Sequence, residues 1–239
     1  MALPRVNEVL QFTLTIPSTG KKVKYRPYLV KEEKVLLQAF ESQDMKACLQ
    51  AMCDTIEACL DSKSKVRVSE LPTFDLEYIF IQMRGKSVGE TSDIVITCPQ
   101  EGCGHKNPYS VDLDKIFLSK ESEKMVPITD SISVEMRYPS YALMMDQDLD
   151  NIAEQDVDGV FQMMTACIAA VHTSDERINC SEQSKEEMEE FLNSMTSVQL
   201  QGVADFLQGM PSINYDAKFE CAGCGEKNTV NLKGLSDFF

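Results

Sequence analysis

Four of the nine cysteines form two close pairs along the chain. Cys98 and Cys103 enclose four residues, and Cys221 and Cys224 enclose two. Each second cysteine begins a similar string, Cys-Gly-His-Lys-Asn at 103–107 and Cys-Gly-Glu-Lys-Asn at 224–228. Four thiolates bind Zn²⁺ tetrahedrally, and a site with four protein ligands leaves no open position for catalysis. The sequence therefore predicts a structural zinc site made by these four cysteines.

The spacing of the first pair leaves alternatives open. Cys-x₄-Cys departs from the common Cys-x₂-Cys, and His105 is a competing ligand that would permit an open coordination position and hydrolytic chemistry. A third alternative is that no metal binds and the cysteines are buried or joined as disulfides. The remaining cysteines fall mostly in apolar, helix-like surroundings and are expected to act as small hydrophobic residues: Cys48, Cys53, Cys59, Cys167 and Cys180.

Each cysteine pair lies between two runs with strand character. Residues 94–97 precede the first pair and 215–219 the second, and alternating runs follow that end at Leu113 and Leu232. A glycine directly after the second cysteine permits a positive φ, so that backbone N–H groups can turn toward sulfur. We therefore expect two β-knuckles, near 94–113 and 213–232, joined in a zinc-ribbon-like arrangement.

The N-terminal part of the chain is predicted to be a hairpin followed by helices. Residues 9–16 and 23–30 alternate around a turn at 17–22. Residues 31–60 contain no glycine or proline, which predicts one helix or two joined near 42–44. A further helix should begin at Leu71-Pro72, with Ser69 as its cap, and its apolar stripe ends at Arg84-Gly85.

The region between the two knuckles is expected to be an insertion. Residues 114–130 are predicted to be a polar connection and 131–138 a strand, and from Tyr141 the apolar spacing is helical until Gly209 and Pro211 end it. The predicted fold class is α+β. We expect an N-terminal hairpin and helical module at 1–90 and a discontinuous zinc-ribbon-like domain at 91–239, with a strand and an acidic helical insertion at 119–212.

Charge is concentrated in this insertion. The chain carries a net charge of −15, and residues 141–190 hold 13 acidic and 2 basic side chains. These residues form either a solvated helix face or a surface for a basic partner, and four of them are candidate contacts: Glu186, Glu187, Glu189 and Glu190. The charge argues against a general nucleic-acid binder.

Several other classes of protein are excluded. The sequence shows no export signal and no apolar run long enough to span a membrane, which predicts a cytosolic protein. Only His105 and His172 could serve a nucleophilic triad; the first lies in a knuckle and the second ends an apolar run. We therefore expect no enzymatic activity.

Three N-terminal strings together carry a resemblance. They are Ile-Pro-Ser-Thr-Gly-Lys at 16–21, Tyr-Arg-Pro-Tyr-Leu-Val-Lys-Glu-Glu-Lys at 25–34 and Arg-Gly-Lys-Ser-Val-Gly-Glu at 84–90. In this combination the chain resembles baseplate hub subunits and hub assembly proteins of T-even-like, contractile-tailed bacteriophages. The resemblance covers roughly residues 1–115, and the acidic insertion far less clearly.

The resemblance implies a non-enzymatic protein that is made in the host cytoplasm and needed to build the baseplate hub. It implies binding to other hub or tape-measure proteins, either as a subunit of the virion tail or as a factor released after assembly. We place the shared protein contact, or alternatively an ordinary folding role, at Arg26, Lys31, Glu32, Glu33, Arg84 and Lys86. A zinc-stabilised adaptor or regulator unrelated to the virion is the alternative class.

Overall fold

The computed structural model describes residues 10–42, 44–146 and 157–238. Contacts divide them into two compact units. The first unit takes the described residues up to Ser119 and those from Ser212 onward, and the second takes the described residues between Lys120 and Pro211. The first unit thus includes residues on both sides of position 90, where the sequence predicts a domain boundary.

The first unit begins with a hairpin and three helices. Strands β1 (Phe12–Thr15) and β2 (Lys22–Tyr25) pair antiparallel. They are followed by helices α1 (Val30–Ser42), α2 (Met45–Cys59) and α3 (Thr73–Ser87). The hairpin was expected, and the 31–60 segment forms two helices rather than one.

Local hydrogen bonds account for where these helices begin. The Asp44 side chain accepts hydrogen bonds from the Lys46 and Ala47 backbone N–H groups, which caps α2. The prediction that Ser69 caps α3 is wrong. Ser69 lies in a short 3₁₀ turn, and α3 starts directly after Pro72, which has φ −60° and makes no side-chain cap. The fixed φ of proline already favours entry into a helix.

After α3 the chain forms the first of two matching hairpins. Strands β3 (Thr91–Thr97) and β4 (Lys106–Asp112) pair antiparallel from Thr91 opposite Asp112 to Thr97 opposite Lys106. We call this pair with its connecting loop cysteine hairpin 1. The short strand β5 (Phe117–Leu118) follows.

The second unit contains a four-stranded antiparallel sheet in the order β6-β7-β8-β9. Its strands are β6 (Met125–Pro127), β7 (Ser133–Met136), β8 (Ile168–His172) and β9 (Arg177–Asn179). The expectation of continuous helix from Tyr141 is wrong at β8 and β9. A short, continuously apolar run such as 168–171 fits a buried strand as well as a helix, and here it pairs with β7.

Four helices complete the described part of the second unit: α4 (Tyr141–Asp146), α5 (Val157–Cys167), α6 (Lys185–Asn193) and α7 (Ser197–Gln208). The last two begin with capping boxes. In each, the side chain of the capping residue accepts a hydrogen bond from the N–H three residues later, and the side chain of that later residue accepts one from the N–H of the capping residue. Part of the acidic segment, residues 147–156, lies outside the described residues.

The chain then returns to the first unit. Strands β10 (Ile213–Glu220) and β11 (Lys227–Lys233) pair antiparallel, and β5 pairs with the other edge of β10. We call β10, β11 and their loop cysteine hairpin 2. One buried cluster joins α3 to both cysteine hairpins, and it includes Ile81, Ile96, Val111, Ala217 and Leu232. These elements bear out an α+β fold made of small sheets.

Candidate metal centre

The four paired cysteines meet at the tips of the two cysteine hairpins. Their sulfur atoms all lie within 4.8 Å of one another. The Sγ atoms of Cys98 and Cys224 are 3.8 Å apart, and those of Cys103 and Cys221 are 3.7 Å apart. A tetrahedron with Zn–S bonds of about 2.3 Å has S–S edges of about 3.8 Å, whereas a disulfide bond is about 2.05 Å long. The spacing therefore fits four ligands of one tetrahedral metal ion and not a pair of disulfides.

Backbone hydrogen bonds place the first cysteine of each pair in the same way. The Cys98 N–H donates to the His105 carbonyl at 2.8 Å, and the Cys221 N–H donates to the Glu226 carbonyl at 2.9 Å. Each bond continues the ladder of its hairpin by one residue. The last strand pair before it is Thr97 with Lys106 in cysteine hairpin 1 and Glu220 with Lys227 in cysteine hairpin 2. Both loops are thereby closed over the sulfur atoms.

The glycine that follows each second cysteine has a left-handed backbone, as the sequence predicts. Gly104 has φ +58° and Gly225 has φ +76°. A residue with a Cβ is strained in this region, whereas glycine adopts it readily. The loops can therefore turn sharply and direct their N–H groups toward sulfur.

The asparagine that ends each repeated string reaches across to the opposite hairpin. Asn107 Nδ2 lies 3.6 Å from the Sγ of Cys221, and Asn228 Nδ2 lies 3.9 Å from the Sγ of Cys98. Both asparagines are buried. Each first cysteine thus receives an N–H group from the hairpin to which it does not belong.

The amide oxygens of the two asparagines also cross between the hairpins. Asn107 Oδ1 accepts a hydrogen bond of 2.9 Å from the Ala222 backbone N–H. Asn228 Oδ1 accepts one of 2.9 Å from the Gln100 side chain. The repeated strings align the two asparagines, but the sequence alone predicts no role for them. Their signal was the repeat itself, because both strings end in an asparagine at a position that faces the core on an alternating strand.

The thiols do not share one acidity. Burial opposes ionisation of Cys221, but the N–H groups of Cys224 and Gly223, with further help from Asn107, outweigh it and lower the pKa of Cys221 to about 6. The Gln100 N–H lowers the pKa of Cys98, but burial and the three neighbouring thiols outweigh it and raise that pKa to about 12. Neighbouring thiolates repel one another, so that a cation is needed before all four can ionise.

His105 is not one of the clustered ligands. Within the described residues, the group of close metal-binding side chains at this site consists of the four cysteines. The His105 side chain instead packs against Gly223: a Cβ built there would lie 2.7 Å from the His105 Cβ. Cysteine hairpin 2 therefore needs its glycine to leave room for a histidine of cysteine hairpin 1.

The structure places the predicted contact residues in different settings. Arg26 and Glu32 form an ion pair of 2.8 Å, and Lys31 lies 3.2 Å from the same carboxylate oxygen. Burial raises the pKa of Glu32, but hydrogen bonds from Arg26 and from the Leu29 N–H outweigh it, and the pKa is lowered. These contacts tie the start of α1 to the segment before it.

The remaining candidates are more accessible. Lys86 pairs with Glu90 at 2.7 Å on the surface, and Glu33 and Arg84 line a groove described below. On α6, the Glu187 carboxylate accepts from the Ser184 N–H in the capping box, which makes it part of the helix start. The others on this helix are exposed: Glu186, Glu189 and Glu190.

Fold and site together define a mixed α+β protein in which two sequence-related hairpins meet at a four-thiol cluster. Residues 9–239 match the family model described as T4 bacteriophage base plate protein. The chain therefore belongs to this family and is a T4-like phage baseplate protein, which confirms that its N-terminal strings resemble those of phage baseplate proteins. Searches of curated proteins and of solved structures gave no match.

Among the helices of the described residues, none is both long enough and apolar enough to cross a membrane.

Proposed function

We propose that this protein helps to build the hub of the baseplate, as a hub subunit or as a hub assembly factor, and that it acts by binding other proteins rather than by catalysis. The observation that carries the proposal is the family match over residues 9–239. The N-terminal strings that resemble hub proteins support the finer assignment. The partners proposed are other hub proteins or the tape-measure protein, met in the host cytoplasm during assembly.

The four-thiol cluster is proposed to hold a structural Zn²⁺. The geometric support is the agreement between the observed sulfur separations and the edges of a ZnS₄ tetrahedron. Since four cysteines fill all positions of the tetrahedron, a bound Zn²⁺ would fix the two hairpins together and leave no place for a substrate. The residues Cys98, Cys103, Cys221 and Cys224 would hold the ion.

Gene disruption in the phage tests the proposed function. Without the protein we expect tails that lack a complete baseplate, restored when the wild-type chain is supplied. Mass spectrometry of purified particles, compared with infected-cell lysate, then separates a subunit, which is present in particles, from a released factor, which is present only in the lysate. Normal tails in the absence of the protein would contradict the proposal.

The exposed acidic face of α6 is a proposed second contact for a basic partner. We expect that replacing Glu186, Glu189 and Glu190 by glutamine weakens incorporation or capture while leaving thermal stability unchanged, because these side chains are solvated. Glu187 is kept, since its carboxylate completes the capping box. A Glu187→Ala variant serves as the contrast: it should lower the melting temperature, because it removes the acceptor of the Ser184 N–H in the capping box. Unaltered capture by the triple variant would remove this surface from the proposal.

A further inference from the structure

A wide apolar groove lies among the three helices of the first unit. Its volume is about 850 Å³. Aromatic rings form much of its wall: Phe80 stacks on Tyr28, and Phe40 meets Phe80 edge-on, both with ring centroids 6.3 Å apart. Leu36 and Met52 add aliphatic surface from α1 and α2. The groove is therefore preformed by packed side chains.

The lining of the groove includes large apolar side chains left open to water. Leu37 is 55 % exposed, Val88 is 55 % exposed and Phe40 is 37 % exposed. Exposed apolar groups that adjoin one another around a concave surface are typical of protein contact sites, whereas isolated ones are not informative. This groove is thus a stronger candidate than the solitary exposed residues elsewhere in the chain.

One carboxyl group in the groove has no internal use. Glu77 lines it from α3, and in the described part of the chain no hydrogen bond or ion pair involves its side chain. Burial alone raises the pKa of Glu77 to about 7. Glu33 adds a second carboxyl group, and the guanidinium of Arg84, also in the lining, donates to the Thr91 carbonyl at 3.4 Å. A basic group entering the groove would satisfy Glu77.

The charge of the whole molecule narrows the choice of occupant. Two copies of a chain with net charge −15 repel each other, so that a basic partner is favoured over self-association. A groove between helices with mostly apolar walls is suited to an amphipathic helix, which presents apolar side chains at positions i, i+3, i+4 and i+7.

We propose that the α1–α2–α3 groove binds an amphipathic segment of another baseplate protein, with apolar side chains in the groove and a lysine or arginine paired with Glu77. The inference rests on the proposed function and names the surface and the partner chemistry for it. The apolar side chains of the segment would fit the shape of the groove, and its basic residue would pair with the Glu77 carboxyl group.

A photo-crosslinking residue at position 37 tests where the partner binds. The Leu37→p-benzoylphenylalanine chain is supplied to a phage that lacks its own copy, and crosslinked peptides from assembling baseplates are sequenced. We expect a peptide of a different baseplate protein that carries apolar residues at helical spacing and a lysine or arginine. The matched control has the same residue at Val198, which is 85 % exposed on α7, and should not crosslink to that peptide.

A charge exchange tests the role of Glu77. The crosslinked segment is synthesised, and its dissociation constant is measured by fluorescence anisotropy against the intact protein. We expect Glu77→Gln to weaken binding at least about tenfold and Glu77→Lys to weaken it further, with partial recovery when the basic residue of the peptide is changed to glutamate. Glu123→Gln, at an exposed position outside the groove lining, is the control and should leave the dissociation constant unchanged. Thermal melts check that each variant is folded.

The possible outcomes separate this inference from the proposed function. Crosslinks only to a second copy, a partner peptide without a basic residue, or no crosslink from position 37 while baseplates form normally would each overturn the groove proposal and leave the hub proposal intact. Normal tails in the complete absence of the protein would overturn the hub proposal itself.

Discussion

The two cysteine hairpins carry the same string but meet different demands at the residue before the second cysteine. In cysteine hairpin 1 this residue is Gly102, whose φ of +77° requires glycine for backbone reasons. In cysteine hairpin 2 it is Gly223, whose φ is not left-handed and whose Cβ position is filled by His105. A repeated residue can therefore be needed for conformation in one copy and for space in the other.

The hairpins also differ in how they complete each other's sulfur environment. Asn107 accepts from a backbone N–H of cysteine hairpin 2, whereas Asn228 accepts from the Gln100 side chain, which lies in the longer loop of cysteine hairpin 1. Each asparagine thus contacts the opposite hairpin, but one is held by a backbone N–H and the other by a side-chain N–H. We therefore expect the two hairpins to act as one cooperative site with a stronger and a weaker side.

Loss of a ligand is expected to have the largest effect. Cys221→Ser should reduce tightly bound zinc from about one ion per chain to about none, because three thiolates leave the tetrahedron open. Structural zinc contributes many kcal/mol to folding, so we expect the melting temperature of the first unit to fall by about 10 °C or more. Elemental analysis and calorimetry measure both changes.

Hydrogen exchange on the same variant sharpens the comparison between units. Protection should be lost in both cysteine hairpins together and retained in the sheet β6-β7-β8-β9. Cys180→Ser, in the second unit, is the control for replacing a buried thiol away from the cluster, and it should leave zinc content unchanged. Full retention of a tightly bound ion in Cys221→Ser would refute the four-cysteine site.

Substitution of the two asparagines is expected to have the next largest effect on stability. Asn107→Ala should cost about 1–3 kcal/mol, because Asn107 is buried and its loss leaves the Ala222 N–H without this acceptor and Cys221 without one of its N–H donors. Asn228→Ala should cost less, because its amide lies 3.9 Å from sulfur and its oxygen serves a side chain that can turn to water. Zinc affinity should fall about 10–100-fold in the first variant.

Chemical denaturation and a competing chelator measure this ranking. Equal losses in the two asparagine variants would show that the hairpins are equivalent after all. A larger loss in Asn228→Ala would reverse the assignment of the stronger side.

A rescue experiment isolates the steric demand at Gly223. Gly223→Ala should destabilise the protein by about 1–3 kcal/mol, since its Cβ would lie 2.7 Å from the His105 Cβ. Adding His105→Gly removes the clashing atom. Gly223→Ala should therefore cost much less stability in the His105→Gly chain than in the wild-type chain. Gly225→Ala is the control: its strain comes from φ +76°, so the same second substitution should not rescue it. Unfolding midpoints of the wild type, the three single variants and the two double variants give the result.

The smallest effect is expected at Gln100. Gln100→Ala removes a hydrogen bond to Asn228 from a partly solvated side chain, so the cost should be about 0.5–1 kcal/mol. The matching donor on the other side is the Ala222 backbone N–H, which among side-chain substitutions only proline would remove. A double-mutant cycle with Asn228→Ala should show coupling, and additive losses would mean that the two side chains do not cooperate.

The four-cysteine cluster was predictable from sequence because its information is local: two short strings, repeated almost letter by letter, each with strand-like flanks. The hairpins, the two helices of 31–60 and the α+β class follow from the same kind of local pattern. The exchange of asparagines was not predictable, since it depends on which face each hairpin turns to the other, and that is set by the shared core of Ile81, Val111 and Ala217.

The features that were predicted wrongly or missed from the sequence have definite physical causes. Residues 168–172 carry enough apolar character to suit either a helix or a strand, and pairing with β7 decides the outcome. Ser69 is a good capping residue, but Pro72 already fixes the start of α3. Glu77 could not be singled out because its isolation comes from the helices packed around it, and no motif in the sequence reports the absence of a neighbour.

The order in which the ligands are synthesised follows from the distance between the hairpins along the chain. Cys103 leaves the ribosome 118 residues before Cys221. At bacterial rates of about 5–20 residues per second, the early thiols wait for about 6–24 s without their partners. During that interval the growing chain holds half of a chelating site, reactive toward oxidants and foreign metals. A reducing environment would protect these thiols until Cys221 and Cys224 emerge.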